Sequence, residues 1–200
     1  MDVTIIIPLS RNVPTEVIES VLEHHRTNHH VPILISRTND SIFNLSKARN
    51  MGACMTRSKW LLFCDADIVF SKDIQEMTDI NQPVVRGTIR RDDIDPVHRY
   101  KCANSPILIQ RDFYFDVGGY CELYRGWGYE DSDFEHKLPV APVDYNAEAL
   151  HIMKIHNEIS GNKLWKYGSD DNKELFIKRM SEPVEKRIND DKQVLTEYLK

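Results

Sequence analysis

Short apolar runs alternate along the first third of the chain with segments whose apolar residues recur at helical spacing. Residues 3–9 (VTIIIPL), 31–36 (VPILIS) and 60–64 (WLLFC) are continuous apolar runs, which are typical of strands buried on both faces. Between them, a helix is predicted to open at residues 14–16, and its Val17, Ile18, Val21 and Leu22 fall on one apolar stripe. Residues 42–57 are predicted as a second helix, which Gly52 interrupts only slightly. The order strand, helix, strand, helix, strand predicts an α/β fold whose mostly parallel sheet is covered by helices on both faces.

The rest of the chain is expected to extend the sheet and then to end in helices. Four segments are predicted as further strands: 84–88, 106–109, 143–146 and 149–155. Three segments are predicted as helical: 111–117, 171–180 and 183–199. Residues 90–101 are charged and without periodicity, so a mobile flap and a solvated connection explain them equally well. Pro8 lies near the end of the first run, and we expect regular strand pairing to stop there.

Composition narrows the class of protein. A formal net charge of -5 gives no support for a general duplex nucleic-acid surface, because phosphate contacts need clustered Lys and Arg. No apolar run approaches the length of a membrane span, and the chain opens on a strand-like segment instead of a signal peptide. The four cysteines show neither C-x-x-C pairing nor the spacing of a secreted disulfide framework. We therefore expect reduced thiols and a cytoplasmic location.

Two carboxylates stand where the third predicted strand ends. Asp65 and Asp67 lie in the otherwise strongly apolar segment KWLLFCDADIVF. Burying them requires a cation, and a hard divalent ion accepts such oxygen ligands. An Asp-rich turn would explain this pair by itself. Ligands of parallel sheets, however, bind at the carboxyl ends of strands, and three loops should converge there: 10–12, 37–43 and 65–67.

The segment RGWGYEDSDF is a second candidate site. Gly126 and Gly128 bracket Trp127, so an aromatic ring sits on backbone that a ligand can approach closely. Glu130 and Asp131 follow at the start of a predicted helix, where acidic residues often only complement the helix dipole. A Trp ring beside carboxylates is also how proteins hold sugars, because the ring packs on the sugar face while carboxylates accept hydroxyl protons. Spacing alone leaves both interpretations open.

Four histidines lie at the end of the first predicted helix and in the loop after it, at His24, His25, His29 and His30. Paired histidines can bind metal, but no acidic or Cys partner is close to these in the sequence. A solvated surface is therefore the preferred interpretation.

Five segments, in this order, resemble nucleotide-sugar glycosyltransferases of the GT-A fold, most closely the β-1,4-galactosyltransferase type and its relatives. They are IIIPLSRN, SIFNLSKARNMG, the D-x-D at 65–67, the W-G-x-E-D at 127–131 and MKIH at 153–156. Each motif alone is weak, but five in register are specific. The resemblance implies a single Rossmann-like GT-A domain over residues 1–162, with residues 163–200 as a helical extension packed on it.

The resemblance also implies a donor site and a metal site. Asp65 is expected to reach the ribose or the metal, and Asp67 to hold the ion, with Mn²⁺ expected and Mg²⁺ as the alternative. His156 is implied as a second metal ligand and Met153 as a third, although a Met at that place could equally pack in the core. The implied donor-binding residues are Pro8, Arg11, Phe43, Asp65 and Asp67.

On the acceptor side, the resemblance implies Asp131 as the general base, with Glu130 beside it. Trp127, Gly128 and Glu130 would bind the acceptor. The implied reaction moves a hexosyl or N-acetylhexosaminyl group from a UDP-sugar to a hydroxyl of a glycan or other acceptor. Inversion is expected, because the motifs offer one base and no nucleophile. Three alternatives stay open: a retaining transferase resembling the polypeptide N-acetylgalactosaminyltransferases, a metal-dependent phosphoesterase, and an inactive sugar-binding protein.

Overall fold

The computed structural model describes residues 2–91, 99–101, 105–160 and 169–200 of the chain. Its strands are β1 (Val3–Ser10), β2 (Ile33–Thr38), β3 (Trp60–Phe63), β4 (Ile68–Val69), β5 (Val84–Arg91), β6 (Arg99–Lys101), β7 (Ile107–Gln110) and β8 (Val143–His151). Its helices are α1 (Glu19–His29), α2 (Leu45–Met55), α3 (Ile74–Thr78), α4 (Arg111–Asp116), α5 (Glu130–Glu135), α6 (Met153–Ser160), α7 (Ser169–Met180) and α8 (Val184–Tyr198), and a 3₁₀ turn at Thr15–Ile18 precedes α1. No helix in these described ranges is both long and apolar enough to cross a membrane. The cytoplasmic location stays a prediction.

One mixed sheet joins these strands in the order β2-β1-β3-β7-β5-β8-β4, and β6 pairs with β5. Pairing is parallel between β1 and β2, β1 and β3, and β5 and β8. The other four strand pairs are antiparallel, so the sheet contains more antiparallel pairing than the sequence predicted. The connections between β5, β6 and β7 are too short for the crossover that parallel neighbours require. Most of the charged stretch predicted at 90–101 lies outside the described residues.

Pro8 itself does not end the pairing of β1, which stops two residues later, near the end of the run as predicted. Pairing with β2 continues through Ser10. The N–H of Ile5 donates to the β2 side, whereas the carbonyl of Ile6 accepts a hydrogen bond on the β3 side. Because these groups alternate along a strand, the nitrogen of Pro8 faces the β3 side, and β3 has already ended at Phe63. The missing N–H therefore removes no ladder bond.

Helices cover both faces of the sheet. Ile5 of β1 belongs to one core cluster together with Leu22 of α1. The next residue of β1, Ile6, belongs to another cluster together with Ala53 of α2. Neighbouring residues of a strand point to opposite faces, so the two clusters lie on opposite sides of the sheet. Gly52 brings α2 close to the sheet, because a Cβ at this position would lie 2.4 Å from Cγ2 of Ile6. The predicted α/β layering is confirmed.

Two of the four histidines at the end of α1 are buried, so the predicted solvated surface is wrong for His25 and His29, whereas His30 is exposed. His25 and His29 lie on the same side of α1 as its apolar stripe and are almost fully buried. The Nε2 of His25 donates to the carbonyl of Ile68 over 3.1 Å. His29 and His24 both donate to the carbonyl of Phe70, over 3.1 and 2.8 Å. Since β4 is the last strand of the sheet, these rings cover its unpaired edge and donate to carbonyls there.

Buried ion pairs attach the two C-terminal helices to the rest of the fold. The carboxylate of Asp133 on α5 lies 3.1 Å from Arg179 of α7 and 3.0 Å from Arg187 of α8. Lys137 lies 2.5 Å from Asp191 of α8. The predicted boundary at residue 162 falls outside the described residues, so the division into a domain and an extension stays a prediction.

Candidate functional site

A carboxylate and two imidazole rings meet where β4, β8 and α6 come together. Asp67 Oδ2 lies 3.0 Å from His151 Nε2 and 2.6 Å from His156 Nδ1, and the two ring nitrogens are 3.1 Å apart. The antiparallel pairing of β4 with β8 sets Ile68 opposite His151. The N–H of Ile152 donates to the carbonyl of Asp67 over 2.8 Å, just before α6 begins and brings in His156.

This donor set fits a divalent metal ion. Adjacent ligands of an octahedral ion with bonds of about 2.1 Å are roughly 3 Å apart, which is close to the separations of these three atoms. Burial by itself would raise the pKa of Asp67, but hydrogen bonds from His151 and His156 lower it to about 2. Asp67 is therefore anionic at neutral pH. One carboxylate with two imidazoles suits Mn²⁺ better than Mg²⁺, which prefers oxygen ligands throughout.

A second cluster of potential ligands has a different character. Cys121, Asp133 and Asp191 are all buried and lie close to one another. The ammonium of Lys137 lies 2.5 Å from Asp191, and the guanidinium of Arg179 lies 2.7 Å from the same oxygen. Lys137 and Arg179 already neutralise Asp191, and Arg179 also neutralises Asp133. The cluster is therefore a set of ion pairs and not a second metal centre.

Met153 and His156 both lie on α6, although residues 149–155 were predicted as a strand that ends before His156. They are three residues apart on α6 and therefore project from similar sides of it. The role of Met153 as a metal ligand stays a prediction. His151 was missed in the sequence. In the structure it follows Ala147 and Ala149 at alternate positions of β8, and both alanines are buried.

Arg49 of α2 links the two candidate segments. Its side chain is 0% exposed, and its two terminal nitrogens lie 2.6 Å from Asp131 and 3.0 Å from Asp65. The guanidinium also lies 4.7 Å from the centre of the Tyr120 ring, in a cation–π contact. Arg49 was not predicted from the sequence either. Its signal was a charged residue on the inward face of a predicted helix, where a partner is required.

Glu130 and Asp131 are neighbours with different chemistry. Burial and the charge of Asp131 raise the pKa of Glu130 to about 8, although Arg49 opposes the shift. Glu130 is 4% exposed, and its Oε2 has no hydrogen-bond partner among the described residues. The side chain of Asp131 is 25% exposed. At neutral pH Glu130 is therefore mostly protonated and able to donate a hydrogen bond, whereas Asp131 is the more accessible of the two.

The loop that carries Trp127 is tied to the loop that carries Phe43. The N–H of Gly126 donates to the carbonyl of Phe43 over 3.0 Å. The Trp127 side chain is largely exposed, and Phe43 is half-buried. Gly126, Gly128 and Tyr129 all have positive φ, at 68°, 104° and 71°, a conformation that favours glycine. Nothing lies within 4 Å of a Cβ placed on Gly128, so the backbone there is open to a ligand.

Pro8 and Arg11, two of the residues implied to bind the donor, differ in burial. Pro8 is buried inside β1, whereas Arg11 is exposed in the turn that follows the strand. Arg37 of β2 holds this turn, since one of its nitrogens donates to the carbonyls of Ser10 and Val13 over 2.8 and 2.7 Å. Through Arg49, the structure brings the D-x-D and W-G-x-E-D segments together. Of the residues implied to bind the donor, Pro8 is buried within the sheet.

The chain resembles known galactosyltransferases in sequence. A family model described as the N-terminal domain of galactosyltransferase matches residues 96–156. The β-1,4-galactosyltransferase 4 of Rattus norvegicus is 27% identical over 145 residues, which cover 66% of this chain. The matched part spans 42% of that protein, so the chain corresponds to less than half of this curated relative.

Solved structures share the fold at low sequence identity. The catalytic domain of Drosophila β-1,4-galactosyltransferase 7 with xylobiose has a TM-score of 0.58 at 15% identity, covering 90% of this chain and 81% of that one. A mutant of the same enzyme with manganese, UDP-Gal and xylobiose gives 0.57 at 15% identity, covering 84% and 78%. TarS of S. aureus with UDP gives 0.55 at 12% identity, covering 90% and 71%. The chain thus has the GT-A fold, and its predicted resemblance to β-1,4-galactosyltransferases is confirmed.

Proposed function

We propose that this protein is a metal-dependent glycosyltransferase that moves a sugar from a UDP-sugar to an acceptor hydroxyl with inversion. The bridge that Arg49 makes between Asp65 and Asp131, over 3.0 and 2.6 Å, carries the proposal. The family resemblance assigns Asp65 to the donor side and Asp131 to the acceptor side. One buried guanidinium holds both, so a donor and an acceptor bound to them would be adjacent, as a direct transfer requires.

The metal cluster supports a nucleotide-sugar donor. Asp67, His151 and His156 would hold Mn²⁺, with Mg²⁺ as the alternative and Met153 as an additional ligand. The bound ion would supply neutralisation of the charge that develops on the leaving diphosphate. The Drosophila enzyme of the same fold forms a complex with manganese and UDP-Gal, which supports this assignment. The proposed donor-binding residues are Pro8, Arg11, Phe43, Asp65 and Asp67.

Asp131 is the proposed base. The acceptor hydroxyl gives its proton to this carboxylate while its oxygen forms a bond to the anomeric carbon. The bond from that carbon to the diphosphate breaks, and UDP leaves with the electron pair. Arg49 keeps Asp131 oriented. Protonated Glu130 donates a hydrogen bond to another acceptor oxygen, and the Trp127 ring packs on a sugar face above the open backbone of Gly128.

A panel of UDP-sugars and sugar acceptors, each with Mn²⁺, Mg²⁺ or EDTA, tests the proposal. We expect UDP release that requires both metal and acceptor, and a β-linked product from an α-linked donor. Metal-dependent cleavage of phosphate esters without an acceptor would favour the phosphoesterase instead. Sugar or UDP-sugar binding without any turnover would indicate a binding protein. An α-linked first product, identified by NMR, would favour the retaining transferase.

A further inference from the structure

One face of α7 contacts the segment that carries the proposed acceptor residues. Asn172, Phe176 and Arg179 are spaced by four and three residues, so their side chains project from the same face of the helix. All three contact residues 125–136. The opposite face of α7 is exposed at Lys173, Glu174, Ile177 and Lys178.

Asn172 is bound to the backbone of the Trp127 loop. It is 3% exposed, and its Oδ1 accepts a hydrogen bond from the N–H of Arg125 over 3.2 Å. Its Nδ2 donates to the carbonyl of Arg125 over 2.9 Å and to that of Trp127 over 3.1 Å. The positive φ values around Trp127 are incompatible with a regular helix or strand. The side-chain amide thus partners backbone groups on both sides of Gly126 where regular structure cannot.

The other two residues of this face hold α5, the helix that follows the loop. The ring of Phe176 lies 5.4 Å from that of Tyr129 and 5.7 Å from that of His136. The Nε of Arg179 donates to both carboxylate oxygens of the fully buried Asp133, over 3.2 and 3.1 Å. Helix α7 therefore fixes the loop through one residue and the helix that bears Asp131 through two.

We propose that Asn172 is a positioning residue for the acceptor subsite, because it fixes the backbone from which the Trp127 ring meets the sugar. The inference rests on the proposed function, which makes this loop the acceptor side. Helix α7 lies beyond the residues matched by the galactosyltransferase family model, so the resemblance does not assign this role. The candidate metal ligands come from β8, α6 and the turn before β4. The bond from the Trp127 loop to the donor residue Phe43 ends on its backbone carbonyl and not on its ring. Metal binding and donor binding through side chains should therefore not depend on Asn172.

The test compares Asn172→Ala with Asn189→Ala, the same change at an exposed position of α8. Hydrogen–deuterium exchange follows the amides of residues 125–129, and kinetics give KM for donor and acceptor separately. In Asn172→Ala we expect the Arg125 amide to exchange about tenfold faster or more. Acceptor kcat/KM should fall by about 10- to 100-fold, the scale of a small misplacement, while donor KM and Mn²⁺ affinity stay within about twofold. Asn189→Ala should match the wild type.

The outcomes separate this inference from the proposed function. A wild-type protein that transfers no sugar overturns the proposed function and the inference with it. An active wild type with an unchanged Asn172→Ala variant overturns the inference alone. Loss of donor and acceptor affinity together, or faster exchange in β1 as well, would show a general loss of stability and also overturn it. If Asn172→Ala does not fold, the nearly isosteric Asn172→Asp replaces it, because its carboxylate cannot donate to the two carbonyls.

Discussion

Arg49 is fully buried, whereas the two carboxylates it joins are a quarter to a third exposed. A buried cation is stable only when paired, so Asp65 and Asp131 neutralise Arg49 as much as Arg49 orients them. The pairing also separates the roles of two adjacent acids. Glu130 lies deeper and has a raised pKa, while Asp131 stays near solvent beside the guanidinium. Single-residue variants can distinguish these roles.

Asp131→Asn should reduce sugar transfer by roughly 10²-fold or more, because the amide keeps the shape of the side chain but cannot accept the proton. Binding of UDP with Mn²⁺, measured by calorimetry, should stay within about twofold of the wild type. Glu130→Gln is the matched comparison. Since Glu130 is mostly protonated at neutral pH, its amide variant should lose less than about tenfold. Wild-type turnover in Asp131→Asn would reduce Asp131 to a partner of Arg49.

His151→Ala should weaken Mn²⁺ binding by at least about tenfold, because it removes one of the three clustered ligand atoms. Asp67→Ala should abolish metal-dependent UDP binding, since it removes the anionic ligand. Calorimetric titration of Mn²⁺, with and without UDP, measures both effects. Lys154→Ala, an exposed change on α6, serves as the control. Unchanged Mn²⁺ affinity in His151→Ala would leave this histidine as a hydrogen-bond partner of Asp67 only.

Among the secondary-structure elements, helix α2 connects the proposed donor side of the site with the acceptor side. Besides Arg49, it carries Asn50, whose Oδ1 accepts from the Tyr120 N–H over 3.0 Å and from the Tyr114 hydroxyl over 2.5 Å. The Nδ2 of Asn50 donates to the carbonyl of Tyr120 over 2.9 Å. These bonds hold the stretch that leads to the Trp127 loop. They depend on α2 lying close to β1, which Gly52 permits.

Gly52→Ala should lower the free energy of unfolding by about 1–3 kcal/mol, the scale of overpacking in a core. Its Cβ would lie 2.4 Å from Cγ2 of Ile6, on a buried β-branched side chain with little freedom to move. Urea unfolding measures the change. Met55→Ala, at the exposed end of the same helix, should differ from the wild type by less than about 0.5 kcal/mol. Equal stabilities of Gly52→Ala and the wild type would show that α2 can shift freely.

Across the whole molecule, the buried histidines link stability to pH. Burial and the neighbouring His29 lower the pKa of His25 to about 3, and burial lowers that of His29 to about 4. An unfolded chain would bind protons at these rings below pH 6.5, whereas the folded chain does so only at much lower pH. Between these values the unfolded state holds more protons. The contribution of these two rings to the free energy of unfolding is therefore fully present above about pH 6.5 and is lost as the pH decreases below it.

His25→Gln should reduce the loss of stability between pH 7.5 and pH 5.0 by about 2 kcal/mol, because glutamine does not titrate and its amide can donate to the Ile68 carbonyl. Urea unfolding of the wild type and the variant at both pH values gives the difference. His30→Gln is the control, since His30 is exposed and should leave the pH dependence unchanged. An identical pH dependence in His25→Gln would show that His25 does not contribute to it.

Much of the fold follows from local pattern. The sequence predicted all of these elements close to their observed bounds: the apolar runs that became β1, β2 and β3, the helices α1 and α2, and the two C-terminal helices. In this part of the chain, short apolar runs alternate with helical segments, and that alternation distinguishes the strands from the helices. The segment after β8 was different. Its isoleucines at 152, 155 and 159 fit a helix, but a short apolar run does not by itself separate strand from helix.

The sequence by itself determined which chemical groups are available: the D-x-D acids, the Trp between glycines, the two acids after it, and His156. Only the tertiary structure decided which of them meet. Arg49 reaches Asp131 across 82 positions and His151 reaches Asp67 across 84. Asn172 donates to the carbonyl of Trp127, 45 positions earlier in the chain. No local pattern encodes such distances, because they arise when the strands pair and the helices pack. The same holds for the buried histidines of α1, because their partners are the carbonyls of Ile68 in β4 and of Phe70 just after it, about 40 positions along the chain.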